Sequence, residues 1–126
     1  MLLDTDFLIW CIRGNKEALI WLDEFDNIAL SAVTYIELIQ GTQNKQELAA
    51  LNKAIKAWDA DILQVNELIS QNATQWITNY YHSDSLTLAD ALIGSTALFY
   101  QLPLVTANVK HFRVMNGLNI VAFRPK

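Results

Sequence analysis

Met1-Leu2-Leu3-Asp4-Thr5-Asp6-Phe7-Leu8-Ile9 opens the chain. A short apolar run stops at an acid, and a second apolar run begins at Phe7. The first run is too short for a helix and reads as a buried strand ending at Asp4. Residues 7–12, closed by Gly14-Asn15, read as the helix that follows it. The same alternation continues outward from this segment. An amphipathic helix is expected over 16–26 with Leu19, Ile20 and Trp21 inward, then a strand over 28–31 and a helix from Thr34 to its stop at Gly41. Leu48, Leu51, Ile55 and Trp58 have helical spacing over 45–58, and residues 61–65 resemble a third strand. Leu68, Ile69, Ala73, Trp76 and Ile77 form the apolar set of a helix over 66–81. A polar loop at 82–85 separates it from an apolar helix over 87–100, which Pro103 ends. Strands at 104–105 and 120–123 complete the series.

Short apolar strands alternating with helices predict βαβ units and a parallel sheet covered on both faces. Right-handed crossovers then give an α/β fold, a three-layer α/β/α sandwich with a short, mostly parallel central sheet. Ligands bind such sheets at the carboxyl ends of the strands, so acids placed just after strands draw notice.

The length of 126 residues fits one domain spanning 1–126, and an apolar share of 52% supports a sizeable core. No apolar stretch is long enough to cross a bilayer. Asp4 interrupts the start too early for a secretory signal, so a cytoplasmic protein without membrane contact is expected. The single Cys11 forms no internal disulfide and reads as a small buried hydrophobe. A net charge of −4 argues against a general nucleic-acid coat protein. It leaves room for an enzyme that gathers carboxylates around cations and holds RNA through a metal and a few local bases. The four tryptophans and the positive mean hydropathy point first to core packing and then to a dimer or partner surface.

Of the thirteen acids, three lie in apolar company: Asp4 in the opening segment, Glu37 in Ala32-Val33-Thr34-Tyr35-Ile36-Glu37-Leu38-Ile39, and Asp90 in Leu86-Thr87-Leu88-Ala89-Asp90-Ala91-Leu92-Ile93-Gly94. An ionised carboxylate taken from water without a partner costs several kcal/mol, so it pairs or binds a metal. No Lys or Arg lies within four residues of Glu37 or Asp90. Thr34-x-x-Glu37 and Thr87-x-x-Asp90 also fit the capping-box spacing, and Asp4 could satisfy loop amides. The coincidence favours a shared metal site, because all three acids are expected at strand-to-helix junctions along one sheet edge. All-oxygen ligands suit Mg²⁺ or Mn²⁺, and no Cys/His cluster suggests zinc. Such sites typically hydrolyse phosphodiesters, with Asp4 and Asp90 as principal ligands and Glu37 ligating through water or acting as general base.

In these segments the chain resembles the PIN-domain family, specifically the VapC branch, the toxins of type II toxin–antitoxin pairs. The resemblance spans nearly the whole chain. It rests on residues 2–9, on Ser31 to Gly41 around Glu37, on Leu88 to Ala97 around Asp90, and on Leu104-Val105-Thr106-Ala107-Asn108-Val109-Lys110-His111-Phe112 as the closing motif. It implies a Mg²⁺- or Mn²⁺-dependent endoribonuclease acting on RNA. It also implies a homodimer, silenced by a cognate antitoxin that plugs the active site. Catalytic positions carried over are Asp4, Glu37, Asp90 and Asn108, the last standing where many members carry a fourth acid. Asparagine offers only a neutral oxygen there. Asp6 could supply the missing charge or serve as a helix N-terminal acid. Thr106 could hydrogen-bond a carboxylate or a phosphate, or pack at a strand end. Arg13, Lys16, Lys110 and Arg113 are expected near the same edge, as phosphate contacts or as solvated surface charges. His111 is a further candidate at this edge, though beside Phe112 it reads more readily as a packing and capping residue, and a partner groove is expected near Phe7, Trp10 and Leu38.

Two rival readings remain. Asp4-Thr5-Asp6 superficially matches the strand-end D-x-D of a haloacid-dehalogenase-type phosphatase with Asp4 as nucleophile, but no late acidic pair follows. The other rival is a catalytically inactive PIN-like interaction module, which Asn108 keeps open.

Overall fold

The computed structural model describes residues 1–82 and 86–125, so Ser83, Asp84 and Ser85 of the expected loop lie outside the described residues. The elements run β1 (Leu2–Leu3), α1 (Thr5–Ile12), α2 (Lys16–Glu24), β2 (Ala29–Ser31), α3 (Ala32–Gln40), α4 (Lys45–Ala57) and β3 (Asp61–Leu63), then α5 (Glu67–Tyr80), α6 (Leu88–Tyr100), β4 (Leu104–Thr106), α7 (Val109–Phe112) and β5 (Ile120–Ala122). The five strands lie in the order β3-β2-β1-β4-β5, and every adjacent pair is parallel. The expected mostly parallel sheet is parallel throughout.

Strand side chains alternate between faces, and that splits the core in two. Leu3, Leu30 and Val105 pack with Phe7, Leu8, Leu22, Leu51 and Ile55 of the helices on one face. Leu2, Ala29 and Leu104 pack with Ala73, Ala91, Ile93 and Phe112 on the other. The result is the three-layer α/β/α sandwich expected from the sequence. Cys11 is buried and free.

Several local expectations are corrected. Helix α1 starts at Thr5 because the Asp4 carboxylate caps it, Oδ1 accepting from the Thr5 amide. In α2, Leu19 and Ile20 are 38% and 59% exposed; the inward stripe is Ala18 and Leu22, with Trp21 packed beside them. An inward run of three consecutive residues cannot hold on a helix, where neighbours in sequence point about 100° apart. Leu68 of α5 is likewise exposed, whereas Ile69 and Ala73 are buried. Helix α3 begins at Ala32, since the Ser31 hydroxyl accepts from the Val33 amide. Thr34 therefore lies inside the helix, fully buried, and caps nothing. The one-turn α7 was not anticipated.

Candidate metal centre

Strands β2 and β3 lie to one side of β1, and β4 and β5 to the other, so the winding reverses between β1 and β4. In open parallel sheets the crevice at that reversal is where ligands bind. Asp4 directly follows β1, and Thr106 ends β4 beside it. Its carboxylate is buried, with Oδ1 accepting the Thr5 amide at 2.9 Å and Oδ2 the Thr106 hydroxyl at 2.7 Å. Burial, reinforced by the charge of Asp6, pushes the Asp4 carboxyl up to about 7 against the pull of those two hydrogen bonds. Asp6 is held by the next loop: its Oδ2 accepts the Ala107 amide at 3.1 Å. Its Oδ1 is buried and has no hydrogen-bond partner among the described residues, and burial raises this acid too.

Glu37 sits more than a turn inside α3, not at a strand-to-helix junction. Instead of a capping box with Thr34, its Oε1 accepts the Thr5 hydroxyl at 2.6 Å, and that hydroxyl lies 3.1 Å from the Thr34 hydroxyl. Asp90 lies in the first turn of α6, which follows a helix and not a strand, so the expected junction is corrected here as well. Its capping box with Thr87 is real: Oδ2 accepts the Thr87 amide and Thr87 Oγ1 accepts the Asp90 amide, both at 3.2 Å. The His111 imidazole brings Nδ1 to 3.3 Å from the same Oδ2. Asn108 precedes α7 with its amide donating to Thr106 Oγ1 at 2.9 Å, and its side chain is exposed.

Asp4, Thr5, Asp6, Glu37, Asp90, Asn108 and His111 all line one open cavity of about 250 Å³. Four distant segments thus meet. Yet among the described residues no three acidic, histidine or cysteine side chains close on one point as a finished metal-binding set. Without a cation, like charges disfavour one another, and each acid instead leans on a protein donor. The commitment is partial: Glu37 Oε2 and Asp90 Oδ1 accept no hydrogen bond among the described residues, and Asp6 Oδ1 is stranded in the interior. Free carboxylate oxygens beside a buried acid of raised pKa fit a hard divalent cation, which takes oxygen ligands and would relieve the repulsion.

The four expected phosphate contacts divide between the turn from α1 into α2 and the short helix α7. None of Arg13, Lys16, Lys110 and Arg113 lines the cavity. Helix α1 leads away from the sheet edge for eight residues, about 12 Å, and carries Arg13 and Lys16 with it. Arg13 lines an adjoining groove of about 560 Å³, whose walls include Ile9, Ile12, Glu37, Leu38 and Trp58. Lys110 and Arg113 are exposed on and just after α7, on the same short element as His111. Phe7 belongs to the buried core and Trp10 packs against it, so neither lines this groove, whereas Leu38 does. Sequence reasoning missed Thr5 and set His111 aside. A threonine between two acids at a strand end was the available signal for the first; nothing local marked the second.

A model of the PIN domain matches residues 1–117. Ribonuclease VapC10 of Mycobacterium tuberculosis is 32% identical over 124 residues, covering 94% of this chain and 90% of the relative. Ribonuclease VapC19 of the same organism is 30% identical over 123 residues, 93% of this chain and 95% of the relative. Among solved structures, a toxin–antitoxin complex from Klebsiella pneumoniae holds a chain that superposes with a TM-score of 0.80 at 27% identity, covering 96% of this chain and 95% of that one. VapBC2 from Rickettsia felis, bound to a promoter DNA fragment, reaches 0.82 at 20% identity with 98% of each chain covered, which bears on the fold alone. No helix among the described residues is long and apolar enough to cross a membrane. With its motifs on one cavity and its relatives aligned along nearly its full length, the chain belongs to the PIN-domain family, in its VapC branch.

Proposed function

We propose that this protein is a cytoplasmic, Mg²⁺- or Mn²⁺-dependent endoribonuclease and the toxin of a type II toxin–antitoxin pair. The observation that carries the reading is that Asp4, Asp6, Glu37 and Asp90 line one cavity at the β1–β4 reversal, with carboxylate oxygens left unpaired among the described residues. Its relatives being named ribonucleases, and its structural neighbours being toxin–antitoxin assemblies, support the assignment. Asp4 and Asp90, with Asp6, would hold the cation. When bound, the cation polarises the scissile phosphate and acidifies water. Glu37, tethered at one oxygen by Thr5, orients the attacking water or takes its proton through the other oxygen. Thr106 fixes the Asp4 rotamer. Asn108, exposed at the cavity wall, contributes a neutral oxygen, so Asp6 carries the remaining charge.

The groove beside the cavity shares Ile9 and Glu37 with it, and its apolar wall of Ile9, Ile12, Leu38 and Trp58 suits an antitoxin segment that reaches the active site. We place the antitoxin there, and the protein acts as a homodimer. The decisive experiment incubates purified protein with Mn²⁺ and mixed RNA, and maps the new RNA ends. Wild type should cleave, EDTA should stop it, and Asp4→Asn should lower the rate at least about a hundredfold, the scale of removing one transition-state stabiliser. If wild type and Asp4→Asn are equally inert, the chain is an interaction module. In a bacterium, expression alone should slow growth, and Asp90→Ala should relieve it.

A further inference from the structure

Asp90 is held asymmetrically. The Thr87 amide, at 3.2 Å, and the His111 imidazole, at 3.3 Å, both approach Oδ2, while Oδ1 accepts nothing among the described residues. A capping box alone would hold the carboxylate for the sake of its own helix. The second group comes from elsewhere: His111 rides on α7, a one-turn helix pinned by the fully buried Phe112 next to it. Helix α7 in turn packs on α6, where Gly94 leaves room for Met115 and Phe112. His111 thus lies on the wall of the cavity, with one ring nitrogen against the acid and the imidazole partly open to solvent.

We propose that His111 is a positioning residue for Asp90. It holds Oδ2 from outside α6 and so leaves Oδ1 to the cation. This rests on the metal-site reading above and deepens it. Side chains that contact a metal ligand from behind fix its orientation, and their loss typically weakens metal affinity about 10–100-fold. Geometry also dictates which replacement works. An asparagine amide nitrogen occupies roughly the place of the histidine Nδ1, whereas a glutamine amide reaches to the place of Nε2.

The test measures Mn²⁺ binding by electron paramagnetic resonance at pH 8, with melting curves in EDTA to confirm folding. His111→Ala should bind Mn²⁺ about tenfold more weakly, within the range for such losses, with its metal-free melting temperature near wild type. His111→Asn should recover most of the affinity, and His111→Gln should behave like alanine. Wild-type affinity in His111→Ala would overturn the proposal while leaving the metal site intact. Equal affinities for the Asn and Gln variants would overturn it too, and would stand even if the alanine variant folded poorly. Wild type without Mn²⁺ affinity would sink both this proposal and the metal-site reading on which it rests.

Discussion

Asp4 is a buried acid whose ionisation costs the fold stability. Its carboxyl binds a proton more tightly in the folded protein, at about 7, than at its ordinary value of 3.8, chiefly because it is buried. Linkage then fixes the sign: the folded state holds more protons between these values, so this contribution is full below about pH 4 and is lost as the pH rises through about 7. The metal-free protein should melt at a lower temperature at pH 8 than at pH 5, and Mg²⁺ should restore the loss at pH 8. Asp4→Asn should flatten that dependence and melt above wild type in EDTA at pH 8 while losing cleavage. A calorimetric scan in EDTA at both pH values, with and without excess Mg²⁺, checks each of these. The acidity of the site was legible, since Asp4, Glu37 and Asp90 stand out by their apolar neighbours. What each acid touches was not, because Thr5 meets Glu37 across 32 positions of sequence.

Elements were read best where periodicity had room to show. The strands and the long helices α4, α5 and α6 fall within a few residues of expectation. Helix starts slipped where capping chemistry overrode the apolar pattern: Ser31 caps α3, so Thr34 turns inward. Helix α7 has four residues, too few to display any period, yet it carries His111 to the cavity. Its seat against α6 depends on Gly94, where an added Cβ would lie 2.4 Å from Met115 Sδ and 2.7 Å from its Cε. Gly94→Val should therefore destabilise by about 1–3 kcal/mol, the usual cost of overpacking a filled core, and lower the urea midpoint. Gly94→Ala should be milder, because the thioether end of Met115 can swing aside.

For the whole molecule, a net charge of −4 offers no general positive field, so under the proposed function RNA would be held by locally placed bases and the cation. The structure separates the four bases that sequence had grouped. Lys110 and Arg113 lie on and just after α7, the element that carries His111 to the cavity, whereas Arg13 follows α1 and Lys16 opens α2. Lys110→Glu with Arg113→Glu should raise KM several-fold, leave kcat within about twofold and flatten the salt dependence, as expected for phosphate contacts. Arg13→Glu with Lys16→Glu should change KM little. Steady-state kinetics on one RNA at two salt concentrations decides between them. By itself the sequence determined the alternation of strand and helix, the three-layer fold, the family and the identity of the acids, because burial period and motif spacing are local properties of a chain. Only the tertiary structure decided which oxygens stay unpaired among the described residues, that Glu37 meets Thr5, and that His111 comes to lie against Asp90. Those outcomes follow from β4 docking beside β1 instead of beside β3, a choice set by how both faces of the sheet are covered at once.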